Sequence, residues 1–192
     1  NFTNYTVRDK MLNNSVSAIS AAQDGTIWIG GPKGISQFDG KNFKHYAFES
    51  AENPTANAVM QIAIADNKSV WCIAGGQLYN IANGKSARIA MPTTGKKATA
   101  ILADKASLWV ASNGGSIYRY QDKKWDSLQF NDASLITSPG IYDVIKDSKG
   151  RIWVGTTNGL YTVSGKLLTP VKPRNYKLPP STSLAEDKDG SL

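Results

Sequence analysis

Four tryptophans fall in one repeating frame. The stretches "TIWIGGPKGIS", "SVWCIAGGQLY", "SLWVASNGGSIY" and "RIWVGTTNGLY" place Trp28, Trp71, Trp109 and Trp153 at successive spacings of 43, 38 and 44 residues. That is the spacing of propeller blades. Upstream the frame holds: Val16 and Ile19 precede Trp28 by 12 and 9 residues, as Val59 and Ile62 precede Trp71 and Ile141 and Val144 precede Trp153. The third copy slips by one, with Ile101 eight residues before Trp109.

Within each copy, short alternating segments are separated by turn residues, the pattern of a four-stranded antiparallel sheet. In the first copy strand a is expected near 16–22, b near 26–30, c near 34–38 and d near 42–48. Asp24-Gly25 closes a to b, because a tight hairpin needs positive φ and glycine adopts it without steric cost. Asp39-Gly40 closes c to d, matched by Asn83-Gly84, Gln121-Asp122 and Ser164-Gly165, and Gly34, Gly115 and Gly159 allow the b–c turn. Lys68 and Ala106 replace the a–b glycine in the middle copies, whose hairpins should therefore be less regular. The fold class is all-β: a β-propeller fragment of about four four-stranded antiparallel blades with partial blades at both ends.

The frame divides the chain into the last strand of a preceding blade (1–6), blade 1 (7–48), blade 2 (49–90), blade 3 (91–130), blade 4 (131–169) and the start of a truncated blade (170–192). In that last segment Leu184 and Gly190 stand where Ile19 and Gly25 stand, so the next tryptophan would be residue 193. "NFTNYT" resembles "NFKHYA" at 42–47, which closes the first copy. The chain reads as a piece of a longer protein. One tryptophan per unit in a fixed frame points to packing between blades and away from sugar stacking. Trp125 lies off the frame, at the place of Phe43, and is read as packing too.

Composition narrows the functions. With 41% apolar and 19% charged residues the chain can fill a core. No run of 18 apolar residues spans a membrane. The net charge of +7 is spread along the chain, which argues against nucleic acid as a partner of this fragment. Cys72 is the single cysteine, so neither a disulfide nor a cysteine zinc cage can form within the chain. His45 is the single histidine and reads as a solvated strand residue, and no histidine-based metal site or triad with a histidine to spare can be assembled. Asp24, Asp39, Asp122, Asp147 and Asp189 sit at turns, where short carboxylates bond nearby amides, and no spacing argues for the paired carboxylates of a glycosidase. The reading is non-catalytic, with no cofactor and no metal.

The stretch "DSKGRIWVGTTNGLYTV" (147–163) closely resembles the two-component regulator propeller repeat, and "QDGTIWIGGPKGISQF" (23–38) resembles it nearly as well. The resemblance implies part of the periplasmic sensor region of an inner-membrane histidine kinase, often a hybrid kinase, sensing oligosaccharides. Its partners would be an oligosaccharide or other small ligand, the remaining blades of the parent chain, and a second copy through open blade edges. Streptogramin lyases share a similar Gly-x-x-Trp repeat, but they rely on a histidine and a glutamate with magnesium, and His45 has no identifiable acidic partner. A structural or protein-interaction propeller is the other alternative. In a propeller the b–c and d–a loops carry function. Here these are Pro32-Lys33, Asn113-Gly114 and Thr157-Asn158, and the segments 49–57, 91–98, 131–140 and 170–181. Lys33, Asn113, Asn158, Arg174, Asn175 and Tyr176 are the candidate ligand residues, a mixture of amide, cation and aromatic suited to sugar hydroxyls or an acidic sugar.

Overall fold

The computed structural model describes residues 3–48, 58–66, 68–92, 95–105, 107–131, 139–171, 180–181 and 183–192. Among them are sixteen strands and no α-helix. The strands fall into groups of four, and the chain divides into two compact units, Asn1–Met91 and Pro92–Leu192, each holding two groups.

In the first unit, blade 1 is β1 (Ala18–Ala21), β2 (Ile27–Gly31), β3 (Gly34–Phe38) and β4 (Phe43–Ala47), and blade 2 is β5 (Val59–Ile64), β6 (Val70–Ala74), β7 (Gln77–Ala82) and β8 (Lys85–Ile89). Both sheets are antiparallel with neighbours in chain order. The expected strands a to d of the first copy are thus found within two residues at each end. Apolar residues of both blades make one core: Trp28, Ile35 and Tyr46 from the first meet Val59, Val70, Cys72 and Tyr79 from the second. The approach is close because position 30 has no side chain; a Cβ on Gly30 would stand 2.6 Å from Val59 Cγ1. Ser17 fastens the contact, its Oγ donating to the Val59 carbonyl at 2.6 Å.

In the second unit, blade 3 is β9 (Ala98–Asp104), β10 (Ser107–Ser112), β11 (Ser116–Gln121) and β12 (Lys124–Phe130), and blade 4 is β13 (Ile141–Lys146), β14 (Ile152–Thr156), β15 (Gly159–Ser164) and β16 (Leu167–Pro170). The same device recurs 42 residues apart: Thr99 Oγ1 donates to the Ile141 carbonyl at 3.0 Å. Trp109, Ile117 and Leu128 pack with Val144, Val154 and Tyr161. The two sheets are not separate. β12 pairs in parallel with β16, Gln129 with Leu167 and Phe130 with Leu168, giving one eight-stranded sheet. β12 has seven residues, of which only Lys124 to Leu128 are matched to β11, so Gln129 and Phe130 are left to find β16. Asp126 reinforces the seam, accepting from Lys166 at 2.8 Å and Arg119 at 3.2 Å.

The hairpins mostly follow the expected glycines. Gly25 (φ 84°) and Gly150 (φ 81°) turn blades 1 and 4. Blade 2 corrects the expectation of irregularity: Lys68 adopts φ 64° itself, and the Ala65–Ser69 and Lys68–Ala65 backbone bonds match those of blade 1. In blade 3 the hairpin is shorter by one residue, with Asp104 paired to Ser107 and Leu102 opposite Trp109. The third c–d turn is also displaced: Gln121 pairs with Lys124, and Asp122 and Lys123 (φ 50° and 61°) make the turn. Likewise Ser164 pairs with Leu167, so Gly165 and Lys166 turn the fourth.

The ends differ from expectation. Residues 3–6 form no strand; Thr6 instead caps a short 3-10 turn at Val7–Asp9, where Asp9 accepts from the Thr6 amide, and Tyr5 lies on Phe38 and Phe43. Residues 183–192 form no strand but do build the a–b turn, with Asp187 bonded to Ser191 and Gly190 at φ 78°.

Candidate functional site

The b–c turns hold three candidate residues. Lys33, Asn113 and Asn158 are all exposed. Asn113 is partly spent on the fold, its Oδ1 accepting from the Lys97 amide at 2.6 Å. Asn158 receives a bond from Thr157 Oγ1 at 3.4 Å, and its own amide donates to Thr156 Oγ1. These two asparagines share no contact among the described residues. Arg174, Asn175 and Tyr176 lie outside the described residues, as do segment 49–57 and most of 131–140.

The tryptophan frame behaves differently in each blade, and the difference turns on one position. In blade 4, Asp147 stands six residues before Trp153. Its Oδ1 accepts from the amides of Lys149 (3.0 Å) and Arg151 (2.7 Å), and its Oδ2 accepts from Arg151 Nε (2.6 Å) and Trp153 Nε1 (2.8 Å). The carboxyl is almost fully buried. Burial pushes its pKa up, but the bonds from the Trp153 indole and from Arg151 outweigh this and hold it at about 2. Asp187 repeats the amide half of this arrangement, accepting from Asp189 and Ser191 at 2.9 Å each. Glu186 ties that turn to blade 4, receiving Ser148 N and Oγ at 2.7 Å each.

In blade 3 the shorter hairpin moves the carboxylate out of register. Asp104 bonds Lys146 Nζ at 2.6 Å instead, and Trp109 Nε1 is left buried without a partner, under the Arg119 guanidinium at 5.8 Å. In blades 1 and 2 the position holds Ala22 and Ala65. The space so vacated belongs to a cleft of about 600 Å³ between the a–b turns of these two blades, with Trp28 in its wall. Gln37, Asp24, Asp66 and Lys68 supply its polar groups. This cleft was not read from the sequence; the signal was alanine at position 22 where the fourth copy has aspartate.

A second hollow, of about 410 Å³, lies beside the outer strands of the first unit. Phe48 stacks on Tyr79 there at 4.3 Å, and Arg88 is held by Gln77 at 2.6 Å. Trp125 is half-buried between Tyr118 and Tyr120, packed as expected. His45 is exposed on β4. Leu12 N donates to Ser36 Oγ (3.1 Å), and His45 Nδ1 shares a hydrogen bond with the same hydroxyl at 3.2 Å. Among the described residues no three or more His, Cys, Asp or Glu converge on a metal position, and no helix is long and apolar enough to cross a membrane.

Residues 10–33 and 135–158 match the family described as the two component regulator propeller. No curated protein matches the chain. Among solved structures, virginiamycin B lyase from Staphylococcus aureus superposes with a TM-score of 0.69 at 17% identity, over 83% of this chain and 56% of that one. An extracellular domain named for a hybrid two component system of B. thetaiotaomicron gives 0.65 at 23% identity, over 91% of this chain and 24% of its own. Another from the same organism gives 0.65 at 23%, over 93% and 26%. The chain therefore spans little more than half of the lyase and about a quarter of the sensor domains, and at these identities the likeness is one of fold. The repeat model falls on the first and fourth copies, where the a–b glycine is kept, so the chain is a propeller segment in which two of the four copies match the two component regulator propeller repeat.

Proposed function

We propose that this chain is part of the extracytoplasmic ligand-sensing propeller of a membrane-bound two-component sensor kinase, that it senses oligosaccharides, and that it has no catalysis of its own. The observation that carries the reading is the repeat match at residues 10–33 and 135–158. Remaining blades of the parent chain would complete the ring, and Lys33, Asn113, Asn158, Arg174, Asn175 and Tyr176 would line the loop face. Against a lyase-like reading stands His45, whose Nδ1 is engaged by Ser36 and which has no acidic partner among the described residues. The test is a thermal-shift screen with neutral, sulfated and uronic oligosaccharides at two salt concentrations. A ligand at 100 times its Kd adds about 2.7 kcal/mol to stability, and a stabilising glycan class supports the reading. Turnover of a streptogramin, lost in His45→Ala, would overturn it.

A second reading, a protein-interaction propeller that meets a second copy of itself, is favoured by Ile19. It is 68% exposed on β1, whereas Ile101 and Val144 at the same place in blades 3 and 4 are 2% exposed. Light scattering tests it: a dimer dissociated by Ile19→Lys supports this reading, and a monomer at all concentrations removes it.

A further inference from the structure

The cleft beneath Trp28 exists because blade 1 lacks a group that blade 4 has. Asp147 shows what the repeat places there, an acceptor 2.8 Å from the indole nitrogen. With Ala22 in that position only a methyl group remains, and no residue of the described structure accepts from Trp28 Nε1. Nor is that nitrogen sealed from solvent, as Trp109 Nε1 is. Ala65 makes the same truncation on the facing turn, so both walls recede, and the result is a cleft of about 600 Å³, within the range of about 300–1,000 Å³ usual for small-molecule sites.

Two of its polar groups are held in place. Trp28 is 6% exposed and stacks on Tyr46 with ring centres 5.6 Å apart, which fixes the direction of the indole N–H. The Tyr46 hydroxyl donates to Gln37 Oε1 at 3.0 Å, leaving the Gln37 amide hydrogens as donors. Lys68, lifted by its left-handed backbone, adds an ammonium group 3.9 Å from Asp24. Asp24 and Asp66 supply acceptors. A bare carboxylate would be repelled by these two aspartates, an ammonium group has no lone pair to accept from the indole N–H, and an apolar ligand would leave that N–H unpaired. A hydroxyl both accepts and donates, so a ring of hydroxyls meets both kinds of group.

We infer that this cleft is a binding site for a sugar or sugar-like polyol, one hydroxyl of which accepts from the Trp28 indole in the place of the missing carboxylate. The site is at the a–b end of the blades, opposite the b–c turns, because strand b joins the two hairpins at its two ends. It rests on the reading of the chain as an oligosaccharide-binding propeller and adds to the loop face a second, separate site at the other end of the blades.

The experiment follows the five tryptophan indole N–H resonances of the whole chain by 15N NMR. The chain is titrated with glucose, galactose, mannose, xylose, arabinose, N-acetylglucosamine, and the β-1,4 and α-1,4 glucose disaccharides. The Trp28 resonance is assigned by its loss in Trp28→Phe. At least one sugar should shift it saturably while leaving Trp109 and Trp153 in place. Ala22→Asp restores an internal carboxylate, and should weaken that sugar at least about tenfold; Lys68→Gly, which keeps the turn, should weaken it by about threefold. The spectrum of each variant reports that it is folded. Sugar binding that leaves Trp28 unmoved, or that Ala22→Asp does not weaken, overturns the site while leaving the sensing reading intact. Absence of binding by every one of these sugars overturns the site, and failure of the sulfated and uronic oligosaccharides as well overturns both.

Discussion

The indole nitrogen of Trp153 lies 2.8 Å from Oδ2 of Asp147, and this single bond ties the first hairpin of blade 4 to its central strand. Because the same carboxylate also takes two backbone amides and the Arg151 guanidinium, its folded pKa of about 2 lies below the ordinary 3.8. A depressed carboxylate contributes stability that is complete above its unfolded pKa and lost as pH falls toward the folded one. The window is therefore about pH 4 down to about pH 2. Urea midpoints measured across it should fall steadily in the wild type. Asp147→Asn should lower the midpoint at pH 7 and flatten the curve below pH 4; an unchanged slope would assign the acid sensitivity to other groups, Asp126 between Lys166 and Arg119 being the next in line.

Gly30 and Val59 set how closely blades 1 and 2 pack. Gly30 is not in the left-handed region, so alanine costs nothing in backbone strain there, and the cost is wholly the 2.6 Å and 2.7 Å clashes with Val59. Overpacking of this kind costs about 1–3 kcal/mol. Gly30→Ala should lower the urea midpoint accordingly with the slope unchanged. The double variant with Val59→Ala, which frees the space, should recover part of the loss beyond additivity. Strict additivity would mean that the two positions do not touch.

How much of this was legible follows from what period and turn chemistry encode. The frame made the all-β class and the four-stranded groups legible because a strand buried on one side repeats its apolar residues and because Gly25 and Gly150 mark a backbone most residues avoid. It could not show that Gln129 and Phe130 join β16, since parallel pairing between distant strands leaves no local pattern. Nor could it show that Lys68 would accept the glycine conformation, because tertiary packing can outweigh a local preference of about 1–2 kcal/mol. The one-residue slip of Ile101 was visible, but its consequence, a carboxylate moved from Trp109 to Lys146, depends on side-chain direction. The cleft at Trp28 arises from residues that are small, and small residues give a sequence reader little to weigh.

Lys68 holds φ 64° in a turn where the other copies that keep this geometry use glycine. Its side chain is largely exposed, and its ion pair with Asp24, at 3.9 Å, is worth little. Lys68→Gly should therefore raise stability by up to about 1 kcal/mol through relief of the left-handed conformation. A thermal melt showing a higher Tm checks this. A lower Tm would mean that the extra freedom glycine gives the unfolded chain outweighs the strain relieved.

Cys72 sits on β6 with no exposed surface, inside the core shared by blades 1 and 2. Burial alone drives its thiol pKa far upward, so the thiolate that attacks disulfides is nearly absent at neutral pH. Ellman's reagent should therefore react with the native chain only through opening of the first unit. At low reagent the rate should scale with the unfolded fraction, rising about tenfold for every 1.4 kcal/mol by which a variant such as Gly30→Ala is destabilised. A destabilising substitution confined to the second unit, Gly155→Ala against the Ser181 carbonyl at 2.5 Å, separates two cases. If labelling of Cys72 is unaffected, the two units open independently; if it accelerates as much as global stability falls, they unfold as one.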